Sequence, residues 1–177
     1  MPVRNAVALL LVLAAALSAC RRPDWANKGQ QPGAANASAP PVTLITPDSR
    51  PALPAWAALY MGKAVKTALP QVASCAGNLD IVTARYEGAN AGAKVIGWGW
   101  DTAAAKAVDK VVLVDAAGLV VGAGEGGLSR PDVPQHSPTV TSPNTGWAAI
   151  AGMKTGAVDA FGVINGQARC PLGHLEF

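Results

Sequence analysis

The sequence predicts a mainly β domain, a small antiparallel sandwich. Three observations point there. From residue 75 onward, short runs rich in Val, Ile, Ala and Trp alternate with turn residues at intervals. No helical pattern separates these runs, which argues against a parallel sheet. Two cysteines, Cys75 and Cys170, stand on the first and last of them.

The runs are "LDIVTARY", "AKVIGWGWD", "KVVLVDAAGLVVGAG", "TGWAAIAGM", "AVDAFGVING" and "QARCPLG". "VVLVDAAGLVV" reads as two strands around a tight turn at Asp115 to Gly118. Before them, Leu53, Trp56, Ala57, Tyr60, Met61 and Ala64 recur at three- and four-residue steps, with Lys63 and Lys66 off the stripe. That spacing predicts a short N-terminal helix that docks on its own domain, with Pro54 in its first turn.

The extreme N-terminus has a different character. One basic residue, Arg4, precedes an apolar run from Ala6 to Leu17 and then small residues, the layout of a secretory leader. The run is about twelve residues long, well short of the roughly twenty a membrane-spanning helix needs. Residues 21–42 are polar, small and rich in Pro and Gly. As a coil of about twenty residues they would span roughly 25 Å, enough to hold a folded unit away from a surface. The expected organisation is therefore a leader at 1–19, a linker at 20–42 and one domain at 43–177 with its core in 75–172.

Leu17-Ser18-Ala19-Cys20 resembles the lipobox of bacterial lipoproteins. The resemblance implies that Cys20 becomes an acylated N-terminus, with palmitate among its chains, and that the membrane is a partner through this anchor. Buried acyl chains hold at about 0.8 kcal/mol per methylene. Arg rather than Asp follows Cys20, which in that family points to the outer membrane more than the inner, on its periplasmic or surface face. With Cys20 assigned to lipid, two cysteines remain in an exported, oxidising setting, and a Cys75–Cys170 disulfide is the simplest account, two reduced buried thiols being the alternative.

Within the domain, "GWGWD" at 97–101 puts Ile96, Trp98 and Trp100 on one face of a strand and Gly97, Gly99 and Asp101 on the other. If the indole face points inward, it builds the core; if outward, it is a flat row on which sugar rings stack. Trp147, in "TGWAAIAG", follows the same Gly-Trp pattern and the same two readings. Arg130 and Asp132 flank Pro131 and form either a local ion pair or a site for sugar hydroxyls.

Cys75-Ala-Gly-Asn-Leu-Asp80, Gly97 to Asp101, Val112 to Gly122, Arg130-Pro-Asp-Val133, Gly146-Trp147 and Cys170 together resemble Ig-like accessory modules of bacterial envelope proteins linked to surface polysaccharide. This resemblance implies an Ig-like sandwich and an accessory role, and it carries over no catalytic residue.

Catalysis is not expected. The two histidines, His136 and His174, lack metal-ligand company, no Gly-x-Ser-x-Gly elbow is present, and the carboxylates are scattered. Neither a cofactor nor a metal is implied. The formal charge of +3 falls to +2 once Arg4 leaves with the leader, and no basic run follows Arg22, so nucleic acid is not an expected partner. Two roles remain: a membrane-anchored module binding surface glycan through Trp98, Trp100, Trp147, Arg130 and Asp132, or an assembly lipoprotein docking on an envelope protein.

Overall fold

The computed structural model describes residues 43–45 and 50–177. The expected leader, Cys20 and the whole of the linker lie outside the described residues. The elements are β1 (Thr43–Ile45), a 3₁₀ turn (Ala55–Leu59), α1 (Val65–Ala68), β2 (Gln71–Val72), β3 (Cys75–Tyr86), β4 (Gly92–Asp101), β5 (Lys106–Ala107), β6 (Lys110–Val114), β7 (Val120–Leu128), α2 (Asp132–His136), β8 (Gly146–Ala151), β9 (Ala157–Ile164) and β10 (Ala168–Glu176). None of the described helices is long and apolar enough to cross a membrane.

The chain is mainly β, and its strands form a single curled mixed sheet in the order β1-β3-β4-β8-β7-β6-β9-β10-β2, with β5 paired to β4. The neighbours from β3 through to β10 are antiparallel, while β1 lies parallel to β3 and β2 parallel to β10. The described strands thus belong to one continuous ladder that curls on itself. Composition supplies the reason. The concave side of β7 carries Gly122, Gly124 and Gly126, the first two opposite Ala151 and Ala149, and such small residues let a sheet bend sharply where larger ones would splay it.

The bend brings β3 and β10 together. Leu172 lies against Gly77, Gly173 against Leu79, and a disulfide joins Cys75 to Cys170 with Cα atoms 5.6 Å apart. Inside the curl, Leu79, Val82, Val95, Leu113, Trp147, Val158, Ala160 and Leu172 form the main core. The hairpin of β6 and β7 closes as anticipated. Gly118, at φ +81°, sends its N–H to the Asp115 carbonyl at 2.9 Å, and Asp115 Oδ1 accepts from the N–H groups of Ala117 and Leu119.

The convex side is covered by two segments. The first is residues 50–72, where the expected helix is broken at Gly62, whose φ is +72°, leaving the 3₁₀ turn and a single turn of α1. Of the expected stripe, Ala57 and Tyr60 are buried and Trp56 and Met61 flank them, but Ala64 is exposed; past the break at Gly62 it is Val65 and Leu69, off that stripe, that join Tyr60 against Val112, Val114 and Val120. This belt runs from beside β1 at one end of the sheet to β2 at the other. The second cover is the loop 129–145 with α2, which lays Val133 and Val140 over Trp100.

Candidate functional site

Strand alternation separates the three tryptophans. On β4, Gly97 and Gly99 face the interior: a β-carbon on Gly97 would overlap the Trp147 ring, and one on Gly99 would stand 3.0 Å from Leu172. Trp98 and Trp100 therefore point to the convex side. Trp147 sits on β8 with Gly97 opposite it and Gly146 opposite Trp98, so each indole faces a glycine across the ladder. The two Gly-Trp pairs look alike in sequence and point to opposite faces.

Trp147 is 0% exposed and belongs to the core; Trp100 is 3% exposed beneath Val133 and Val140. Neither has a ring face open to a ligand. Trp98 is half-buried, and of the three it alone reaches solvent. Trp147 Nε1 and Thr145 Oγ1 are both buried without a hydrogen-bond partner among the described residues.

Next to Trp98 on the convex side is a charged cluster. Arg130 donates from Nε to Asp132 Oδ1 at 2.9 Å and from Nη2 to Oδ2 at 2.8 Å, a bidentate pair that Pro131 between them favours. Its Nη1 donates to Asp80 on β3, and Asn78 Nδ2 donates to the other Asp80 oxygen at 2.6 Å. To get there the Arg130 side chain crosses Gly146, where a β-carbon would be 2.9 Å from Arg130 Cγ. The Arg130 hydrogen bonds hold the Asp132 carboxyl below its ordinary range, and the two carboxylates, led by Asp132, raise the guanidinium further. The local ion pair foreseen for Arg130 and Asp132 is present and has a third member. Asp80 comes from fifty residues away, and in the sequence only its place in the envelope-module pattern marked it.

Asp101, grouped with the glycines of "GWGWD", is buried and spends Oδ1 on the N–H groups of Ala103 and Ala104, holding the turn after β4. His136 Nδ1 lies 2.9 Å from the Asp132 carbonyl, and His174 Nδ1 lies 2.8 Å from Asp159 Oδ1. Among the described residues no group of three His, Cys, Asp or Glu side chains is placed to hold a metal ion.

Between the belt and the loop an open groove of about 370 Å³ remains, lined by Pro51, Pro54, Lys94, Glu125, Leu128 and Ala148 among others. Its floor is flat because Ala123 and Ala148 occupy the convex positions of β7 and β8. Leu128 is 47% exposed on its rim. Glu125 Oε1 accepts a hydrogen bond from Trp56 Nε1 at 3.2 Å, and Lys110 Nζ lies 5.4 Å from the Trp56 ring centre. The cross-strand row Leu128, Gly146, Trp98 leads away from the groove's rim, and Arg130 lies over Gly146 between Leu128 and the half-buried indole. Sequence reasoning missed the groove, since it is bounded by segments far apart in the chain. No protein-family model, curated protein or solved structure matches this chain.

Proposed function

We propose that this chain is a lipid-anchored protein of the bacterial envelope, held at the outer membrane through Cys20, and that its domain is a non-catalytic accessory module binding surface glycan. One observation carries the glycan reading: Trp98, the Arg130–Asp132–Asp80 cluster and an open groove share one face of the sheet. A half-exposed indole offers a ring face, and Asp132 keeps carboxylate lone pairs for hydroxyl donors. Binding is favoured over catalysis because Arg130, Asp80 and Asp132 satisfy one another, which suits a fixed surface better than a proton-transferring pair. Within the same proposal the curled sheet, with β3 folded onto β10, stands for the Ig-like sandwich that the resemblance implies.

The test is co-sedimentation of the full chain with the host's envelope polysaccharides and peptidoglycan, alongside Trp98→Ala. Retention in the pellet that weakens in a folded Trp98→Ala variant supports the reading; no retention on any polymer overturns it. The second reading, docking on an envelope protein, draws on the exposed Leu128, Pro51 and Ala52 around the same groove. It predicts a crosslinked protein partner and indifference to sugars.

A further inference from the structure

Resting on the glycan reading, we propose that the groove between Pro51–Pro54 and β7 is the saccharide site, that it takes a carboxylate-bearing sugar, and that Lys94 reads the charge.

Lys94 projects from the convex face of β4, across from Ile150 and then Ala123, so its stem lies along the groove floor. It is half-buried between Pro51, Pro54 and Ile150, all apolar. Of the other charged side chains near the groove, Glu125 bonds Trp56, Lys110 lies over the Trp56 ring, and Arg130 is held by Asp80 and Asp132. Lys94 makes no ion pair among the described residues. A partly desolvated ammonium among apolar walls favours an incoming anion, because the new pair recovers what burial costs the charge.

The opposite corner has the complementary character. Glu125 uses one oxygen on Trp56 and keeps the other for a hydroxyl donor. Trp56, half-buried, bonds Glu125 at the edge of the groove. A pyranose carrying one carboxylate matches this arrangement: its apolar ring face against Pro51 and Pro54, hydroxyls toward Glu125, the carboxylate on Lys94.

The test uses the full chain in detergent and two soluble probes with one backbone, polygalacturonate and its methyl ester, titrated at low salt. The wild-type chain should prefer the acidic polymer by roughly tenfold, the scale of one charge-assisted hydrogen bond. Lys94→Gln should abolish the preference, Lys94→Arg should keep most of it, and Lys66→Gln, on exposed α1, should leave it unchanged. Equal binding of both polymers, a preference that survives Lys94→Gln, or an equal loss in Lys66→Gln overturns the assignment to Lys94 while leaving the glycan reading standing. Binding of neither polymer overturns the acidic-sugar assignment, and the envelope co-sedimentation decides separately whether the glycan reading falls with it.

Discussion

Arg130 lies over Gly146, its Cγ 2.9 Å from where a β-carbon on residue 146 would stand. The same β-carbon would meet the Leu128 carbonyl oxygen at 2.9 Å, and that is backbone, which cannot swing aside as an arginine can. Gly146→Ala should therefore destabilise the domain by about 1 to 3 kcal/mol, the usual scale of overpacking. A urea midpoint unchanged from wild type would show that β7 and β8 separate without cost. Because Arg130 ties the loop 129–145 to Asp80, the variant should also expose Trp100, seen as a red shift in its emission.

The limits of legibility lie in that row. The Val-rich hairpin at 111–121 and the Cys75–Cys170 pair were readable because a local turn signal and an even cysteine count each suffice. Gly97-Trp98 and Gly146-Trp147 were not separable. Their alternation is local, but which face points inward is decided by register between β4 and β8, some fifty residues apart. The single curled sheet was hidden for a similar reason: strand runs announce strands, not which of them share an edge. β1 and β2, three and two residues long, carry no periodicity to read. The stripe from Leu53 to Ala64 announced an inward face as far as Met61, and failed at Ala64, which is exposed because Gly62 ends the helix that the spacing suggested.

Quenching by acrylamide should discriminate the tryptophans as the fold does. Trp100 and Trp147 are buried, Trp56 and Trp98 half-buried. In a Trp25→Phe background, which removes the indole outside the described residues, Trp98→Phe should lower the quenchable fraction and leave the protected fraction unchanged. Loss of protected emission instead would mean that Trp98, not Trp100, lies beneath Val133 and Val140.

Acid should weaken the loop clamp. Arg130 hydrogen bonding depresses the Asp132 carboxyl below its ordinary value of 3.8 in the folded chain. A depressed carboxylate stabilises the fold above the unfolded value and ceases to do so as pH falls through the folded one. The stability difference between wild type and Asp132→Asn should thus be constant near neutrality and shrink below about pH 4. A difference that instead grew toward acid would reverse the assigned sign.

The disulfide bears on the place where the ladder stops. β3 and β10 are brought together by the curl without a backbone ladder between them; Leu172 lies on Gly77, and the backbone of Gly173 lies against Leu79. Elsewhere in the curl each neighbour is held by a ladder of backbone hydrogen bonds. The Cys75–Cys170 bond closes a sequence separation of 95 residues at this junction. In the chain-entropy account a loop of that size contributes about 4 to 5 kcal/mol, a large share of the stability of a small domain. Replacing both cysteines with Ala removes that constraint and, at Cys170, leaves a small gap beside Gly162. The double variant should lose several kcal/mol by urea denaturation, and hydrogen exchange should rise first in β10 and the Cys75 end of β3. Uniform acceleration across all strands would mean that the curl is held as a whole by its core, with the disulfide contributing only through the unfolded chain.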